Sequence, residues 1–309
     1  MPAGAKLAPP HVRHYYYRME EARTITLEDG LTMGYRLSQA PSNPSRRLIV
    51  LLHGMASNLT RWSEFLEHTA LKGSWDIARV DLRGHGESFT RGPIGMKRWC
   101  RDLLTLLDKE GYEQAVLVGH SLGAQVAVEF AARHTARAGG MVLIDPIFKK
   151  TLHGSALWIR RFAPLIRLAI GVIRLLNLLG VRRRKIPGRD LRRLDEETRA
   201  KLLASGRQEE MVRLYTSPWE DIKFFPTANY LQEFIEVTRP LPPLSAIVIP
   251  TLVLLSRGVT FTDPEAVRRM LAPLAHVEIA AIDAYHWPLT EKPAEVRRAI
   301  EEWCAKSFG

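Results

Sequence analysis

The chain is poor in cysteine and relatively poor in acidic residues for its 309 residues. Its two cysteines, Cys100 and Cys304, lie far apart and lack the spacing of metal ligands, so neither a disulfide scaffold nor a zinc site is indicated. The first 21 residues contain no continuous apolar segment, and we expect no cleavable secretory signal. There is no internal repeat and no low-complexity tract. These absences favour a globular protein of a reducing compartment, and we expect a cytoplasmic location.

Basic residues outnumber acidic ones, and the formal net charge is +11. A charge of this sign can indicate binding to nucleic acid. The excess is concentrated between residues 151 and 199, however, where 12 Lys and Arg stand against 4 Asp and Glu. It follows no nucleic-acid recognition motif, so we do not expect nucleic acid as a partner. With 46% hydrophobic residues, the chain can bury the core of one large domain, with or without an insert.

The segment from residue 115 to residue 130 combines a strand pattern, a tight turn and a helix pattern. Its first four residues suit a buried strand, and apolar residues then return with the spacing of a helix face. Ser121 stands at the turn, with Gly119 and Gly123 two residues to either side. Glycines at these positions let strand and helix pack closely around a strained serine. Because a helix N-terminus favours developing negative charge, the pattern indicates a nucleophilic serine.

Strand and helix patterns alternate along most of the chain. The stretches RTITLEDG and LTMGYRLS predict an antiparallel hairpin that turns at Asp29 and Gly30. Buried strands alternating with helices then indicate a mostly parallel central sheet with helices on both faces, an α/β fold. Helical patterns alone follow from Ile147 to Ser245, which predicts an inserted helical cap. The predicted division is an N-terminal arm at residues 1–22, a core at residues 23–148 and 246–309, and a cap or lid at residues 149–245.

Four motifs, taken in order, resemble those of the α/β-hydrolase superfamily. They are His53-Gly54 after one strand, DLRGHGES after the next, GHSLG around Ser121, and AYHWPLTEKPAEV near the end. The resemblance covers about residues 23–148 and 247–306. It implies the α/β-hydrolase fold and a serine esterase or lipase type of enzyme with a cap domain.

The resemblance also implies roles for individual residues. These are the nucleophile Ser121, the general base His286, and an oxyanion hole formed by the backbone N–H groups of Met55 and Leu122. A serine needs a base with a pKa near neutrality, which independently favours histidine. Three further histidines lie near glycines: His53 and His85 are expected to shape the site, and His120 to be held by packing. Neither a metal ion nor an organic cofactor is implied.

The third member of the expected catalytic triad departs from the family pattern. Relatives usually carry glycine and then aspartate in the loop after the strand written here as LVLLSRG, but Ser256 replaces the glycine and Val259 falls where the acid should be. Valine cannot orient an imidazole. Asp145, at the end of the preceding sheet strand, and Asp263, four residues after Val259, are the candidates to replace it. We favour Asp145, because Asp263 precedes Pro264 in a good helix N-cap pattern. A site with no carboxylate is the third alternative.

Residues 157–185 are the most apolar and most basic part of the predicted cap. Arg160, Arg167 and Arg174 recur every seven residues beside a broad apolar face, which predicts a basic stripe on a helix. Pro164 and Gly171 interrupt the pattern, so we expect two helices or one kinked helix. The internal arginines argue against a membrane span. Two interpretations remain. Either the apolar face packs against the core with the arginines in solvent, or the helix makes peripheral contact with an anionic membrane, at its inner surface.

The predicted function is hydrolysis of a small hydrophobic carboxylic ester through an acyl-enzyme on Ser121, with His286 as base. A serine at the elbow argues against haloalkane dehalogenase and epoxide hydrolase chemistry, which on this fold use an aspartate nucleophile. The same machinery can transfer the acyl group to an alcohol or cleave thioesters, amides and carbon–carbon bonds. The alternative from another class is a non-catalytic, membrane-associated binding protein on a hydrolase scaffold.

Overall fold

A mostly parallel sheet forms the centre of the molecule. The structure is a computed structural model that describes residues 20–152, 157–258 and 260–309, with the side chains of residues 157–160 left out. The strands are β1 (Glu20–Thr26), β2 (Thr32–Ser38), β3 (Leu48–Leu52), β4 (Asp76–Val80), β5 (Ala115–His120), β6 (Ala138–Ile144), β7 (Thr251–Ser256) and β8 (Val277–Ile282). Their order across the sheet is β1-β2-β4-β3-β5-β6-β7-β8. β2 pairs antiparallel with β1 and β4, and the other pairs are parallel. The predicted hairpin and the predicted fold class are confirmed.

Helices connect the strands and follow them to the end of the chain. They are α1 (Ser63–His68), α2 (Met96–Glu110), α3 (Leu122–Arg133), α4 (Leu157–Leu178), α5 (Leu191–Lys201), α6 (Gln208–Tyr215), α7 (Pro218–Asp221), α8 (Thr227–Val237), α9 (Pro264–Leu271), α10 (Pro288–Glu291) and α11 (Pro293–Phe308). Short 3₁₀ turns lie at Leu59–Trp62, Leu71–Gly73, Thr135–Arg137, Leu203–Ser205 and Leu244–Ala246. We call α4 to α8 the inserted helices, because they lie between β6 and β7 in the sequence, where the cap is predicted.

The core has two halves, one on each face of the sheet. Successive side chains of a strand point to opposite faces, so a fully buried strand contributes to both halves. In β3, Leu52 packs in the half that contains Trp99 of α2, whereas Leu51 packs in the half that contains Trp303 of α11. All four side chains are buried. This explains why the central strands are continuous apolar runs in the sequence.

Strained residues collect where the parallel strands end. Ala56, Ser121 and Asp145 follow β3, β5 and β6, and their φ angles are 48°, 53° and 42°. A non-glycine residue in this region costs about 1–3 kcal/mol and persists where the surrounding structure imposes it. Because parallel strands place their carboxyl ends at one edge of a sheet, these residues lie at the edge where α/β folds bind ligands.

Helix α4 differs in part from its prediction. Of the two expected forms, the structure has the single helix, which includes Pro164. Arg167 is exposed, but the guanidinium of Arg174 faces α8 and donates to the side chain of Gln232, so the arginines do not form one solvent-facing stripe. The side chain of Arg160 lies outside the described set. Within the described ranges of the chain, each helix falls short of the length or apolar character that a membrane span requires.

Candidate active site

Ser121 is held at the elbow between β5 and α3. Its backbone N–H donates to the carbonyl oxygen of Ile144 in β6, at 2.9 Å. The flanking glycines are required because a side chain at either position would clash with the backbone. A Cβ at Gly123 would lie 2.3 Å from the carbonyl oxygen of Leu52, and a Cβ at Gly119 would lie 2.3 Å from the backbone of Gly123. Helix α3 therefore begins directly against β3 and β5, which fixes the serine in its strained conformation.

His286 lies beside Ser121. The Nε2 atom of its imidazole is 3.3 Å from the Ser121 hydroxyl oxygen, and both side chains are buried. Burial holds the pKa of His286 well below its ordinary value, and the neighbouring ring of His120 adds to this effect. The imidazole is therefore neutral near pH 7, which is the form that can accept a proton from a serine hydroxyl.

The loop that carries His286 is fixed on both sides. His120, directly before the serine, donates from Nε2 to the carbonyl oxygen of His286 at 2.9 Å. Burial lowers the pKa of His120 to about 4, so this ring is also neutral. The carboxylate of Glu291 in α10 accepts the backbone N–H groups of Tyr285 and Trp287, at 3.0 and 3.1 Å. A hydrogen bond to the loop of His286 therefore holds His120, where packing alone was expected.

Asp145 is the carboxylate that the structure places next to His286. Its Oδ2 atom lies 3.9 Å from His286 Nδ1, on the side of the ring away from the serine. Its Oδ1 accepts the backbone N–H of Ser256 at 2.6 Å, and its Oδ2 accepts the Ser256 hydroxyl. Burial raises the pKa of Asp145 to about 7, although the hydrogen bonds from Ser256 oppose the shift. The serine that stands in place of the family glycine therefore holds this carboxylate.

Asp263 has a different role in the structure. It is the N-cap residue of α9, and its carboxylate accepts the backbone N–H of Glu265 at 2.9 Å. Arg269 of the same helix approaches the carboxylate at 4.0 Å. Val259 lies outside the described residues. The structure thus brings Ser121, His286 and Asp145 together and shows Asp263 bound to its own helix.

The predicted oxyanion residues lie on the two elements that meet at Ser121. Leu122 is the first residue of α3, and Met55 lines the same cavity as the serine. The loop of Met55 runs close to the nucleophile, because a Cβ at Gly54 would lie 3.4 Å from the Ser121 Cβ. The next residue, Ala56, donates its backbone N–H to Glu233 of α8 at 3.1 Å. An inserted helix therefore supports the loop that carries Met55.

Glu233 belongs to a buried charge cluster that no pattern in the sequence indicates. Its other carboxylate oxygen contacts Nε2 of His85, and both side chains are 1% exposed. Burial lowers the pKa of His85, but the carboxylate outweighs that effect and leaves the pKa raised. The ring of His53 packs edge-on to His85 at 4.7 Å between centroids, and its Nε2 accepts the backbone N–H of Leu82. These two histidines hold loops. In the part of the chain that the structure describes, neither of them forms a hydrogen bond with Ser121.

A cavity of about 550 Å³ opens onto Ser121 and His286. Its apolar lining includes Ile147, Leu152, Val212, Phe234, Val237 and Phe261. Several polar side chains also line it, among them Ser57, Tyr215, Thr216, Asp221 and Thr260. The guanidinium of Arg61 reaches it as well; this buried cation contacts Asp195 of α5 and donates to the Thr290 hydroxyl at 2.9 Å. Arg61 is thus neutralised by its partner. The size and lining are those of a site for a small, mainly apolar molecule, for which volumes of about 300–1,000 Å³ are usual.

An eight-stranded sheet with a serine elbow at its carboxyl edge, covered by inserted helices, defines the class of α/β hydrolases. The sequence model of the Alpha/beta hydrolase family matches residues 49–299, and the chain belongs to that family.

The relatives of this chain differ in their named activities. It is 26% identical over 313 residues to epoxide hydrolase 3 of Xenopus tropicalis, a match that covers 96% of this chain and 79% of the relative. It is 34% identical over 106 residues to lipase LipV of Mycobacterium tuberculosis, covering 34% of this chain and 39% of the lipase. The structure of a thermophilic esterase from Thermogutta terrifontis superposes with a TM-score of 0.65 at 24% identity, covering 94% and 100% of the two chains. These relatives support a hydrolase and leave the bond it cleaves open.

Proposed function

We propose that this hydrolase cleaves carboxylic esters with a hydrophobic acyl group, with Ser121 as nucleophile and His286 as base. One observation carries the proposal: the serine hydroxyl lies 3.3 Å from a neutral imidazole inside a largely apolar cavity. Proton transfer between two groups needs a heavy-atom distance close to this value, and such distances shorten when substrate binds. The apolar lining fits an acyl chain better than a charged substrate, because the cavity's one arginine is already paired with Asp195.

The proposed reaction has two halves. The Ser121 Oγ forms a bond to the ester carbonyl carbon while His286 Nε2 takes the hydroxyl proton, and the backbone N–H groups of Met55 and Leu122 receive the charge on the carbonyl oxygen. The ester C–O bond then breaks, and His286 returns the proton to the leaving alkoxide. Water attacks the acyl-enzyme in the same way and releases the acid. The carboxylate of Asp145 stabilises the imidazolium formed in each half.

The nucleophile favours an ester over an epoxide as substrate, despite the similarity to an epoxide hydrolase. A serine that opened an epoxide would form an ether, which this machinery cannot hydrolyse. An aspartate nucleophile forms an ester instead, and water can cleave that ester at its carbonyl carbon. The nearby Asp145 cannot serve in this way, because it lies on the Nδ1 side of His286 and its oxygens are bound to Ser256.

The test is the rate of hydrolysis of p-nitrophenyl esters of increasing chain length. We expect kcat/KM to rise about fourfold for each added CH₂ until the cavity is full, because each buried CH₂ contributes about 0.8 kcal/mol. Ser121→Ala should lose this activity and its labelling by a fluorophosphonate probe, while the matched surface variant Ser205→Ala keeps both. Hydrolysis of an aryl epoxide by the wild type would contradict the proposal. Folded wild-type protein that neither labels nor hydrolyses any ester would favour the non-catalytic alternative.

A further inference from the structure

Helix α4 and the residues after it present an apolar stripe to solvent. Between 40% and 85% of the surface is exposed at Leu165, Leu168, Val172, Leu175, Leu176, Leu178, Leu179 and Val181. From Leu165 to Leu179, exposed apolar residues recur with the three- and four-residue spacing of a single helix face. Proteins that act alone in water rarely expose an apolar surface of this continuity. The stripe therefore indicates a partner surface.

The orientation of α4 is fixed from its inner side. Ile170 is buried, and the guanidinium of Arg174 donates to the side chain of Gln232 in α8. Gln232 in turn donates to the carbonyl oxygen of Ile94, at 2.6 Å, in the core domain. Partial burial lowers the pKa of Arg174, and the nearby charge of Arg98 adds to this effect. The helix thus turns a half-buried cation inward and leucines outward, unlike a helix that only covers a core.

Positive charge surrounds the stripe. Residues 146–189 contain eleven Lys and Arg and no Asp or Glu. Four consecutive exposed cations at residues 182–185 follow the stripe. At the other end, Arg161 and Arg167 line a groove of about 700 Å³ together with two more cations from neighbouring segments. An apolar strip between two groups of cations matches the chemistry of an anionic lipid interface, where acyl chains lie beneath negatively charged phosphates.

We propose that α4 and residues 179–185 dock the protein on an anionic lipid surface, with the leucines at the boundary of the acyl chains and the cations at the headgroups. A second copy of this chain would also cover the leucines. It would place cations opposite cations, however, because this segment offers no carboxylate to pair with them. Anionic headgroups supply the missing negative charge, so the charge pattern selects the lipid.

Docking in this way brings the catalytic cavity close to the lipid. Helix α8 lies between α4 and the cavity: its Gln232 binds α4, while its Tyr230, Phe234 and Val237 line the cavity. A hydrophobic substrate that partitions into the bilayer is thereby concentrated one helix away from Ser121. The docking surface itself contains no residue of the active site, so lipid binding does not depend on the proposed reaction.

The test is co-sedimentation of the full chain with vesicles of phosphatidylcholine alone and of phosphatidylcholine mixed with phosphatidylglycerol. We expect binding to the mixed vesicles at low salt, and little to the neutral ones. The double variant Leu168→Gln, Leu175→Gln should bind about a hundredfold more weakly, at about tenfold for each leucine removed from the acyl boundary. The matched control is Val248→Gln, which changes an exposed apolar residue elsewhere and should bind like the wild type.

The charges are tested separately by Arg182→Gln with Arg184→Gln. Each cation near an anionic surface contributes roughly fivefold in affinity, so the double substitution should weaken binding about 25-fold and reduce its dependence on salt. Binding to neutral and anionic vesicles alike, or to neither, would overturn the proposal. A second result would also overturn it. Light scattering would show a dimer of the wild type and a monomer of the leucine variant, while both proteins bind vesicles equally. The test measures binding and not catalysis. If the inactive Ser121→Ala protein still sediments with the mixed vesicles, lipid docking is independent of the proposed reaction.

Discussion

Replacing Asp145 with asparagine removes one charge and keeps the shape of the side chain. The carboxylate accepts two hydrogen bonds from Ser256, and an asparagine carbonyl oxygen can keep one of them. Since burial raises the pKa of Asp145, the substitution also removes the cost of burying an ionised group. We therefore expect Asp145→Asn to fold, and its main effect to fall on the charge that develops on His286.

The size of the effect follows from the geometry. Two unit charges 3.9 Å apart interact by about 4 kcal/mol at an effective dielectric constant of about 20. In the proposed reaction His286 is neutral in the free enzyme and positively charged in the transition state, so nearly all of this energy is lost from the transition state. At about 1.36 kcal/mol for each factor of ten, kcat should fall about a thousandfold. KM should change little, because Asp145 is not among the residues that line the cavity.

The assay is steady-state hydrolysis of a p-nitrophenyl ester by the wild type, Asp145→Asn and Asp263→Asn. Asp263 is the matched control, since the sequence offers it for the same role. Asparagine caps a helix about as well as aspartate, so Asp263→Asn should keep both its stability and a kcat within about twofold of the wild type. A thousandfold loss in Asp263→Asn alone would refute the reasoning and place the acid in the loop after β7. Small effects of both variants would mean that the serine and the histidine work without a carboxylate.

Three further predictions follow from the same geometry. As pH rises through about 7, Asp145 ionises and becomes able to stabilise the imidazolium, so kcat/KM should increase over this range, and the increase should vanish in Asp145→Asn. Asp195→Ala leaves the guanidinium of Arg61 buried without its carboxylate, and urea denaturation should show a loss of about 3–5 kcal/mol in unfolding free energy. Gly123→Ala drives a methyl group into the backbone of β3 and should cost about 2–3 kcal/mol, whereas Gly188→Ala, which meets open space, should leave the thermal midpoint unchanged.

The parts of the site that the sequence predicts are those specified locally. The elbow depends on glycines two residues either side of Ser121 and on a change of period from strand to helix, all within residues 115–130. The fold class depends on the same alternation repeated along the chain. Contacts between distant segments carry no such local signal. Glu233, which supports the loop of Met55 from 177 positions away, looks in the sequence like any acidic residue of an amphipathic helix.

Periodicity has a similar limit in α4. The apolar and basic residues of this segment correctly predict an amphipathic helix. The periodicity shows which residues share a face of the helix, but it does not show whether that face meets the core or the solvent. In the structure Gln232 of α8 binds Arg174 and turns the leucines outward. That outcome depends on a polar residue 58 positions away. Of the two sequence-based interpretations, the exposed leucines argue against packing of the whole apolar face on the core.

The choice between the two aspartates also depends on neighbouring strands. In the sequence, Ser256 and Val259 together look like the loss of a motif at the end of β7. In the sheet, β7 lies beside β6, and the Ser256 backbone and hydroxyl both donate to Asp145 at the end of that strand. The serine that replaces the family glycine thus supplies two donors to a carboxylate on the adjacent strand, next to the same histidine. When an expected acid is missing after one strand, the residues at the ends of the neighbouring strands therefore have to be examined. A carboxylate at the end of an adjacent strand can reach the same histidine.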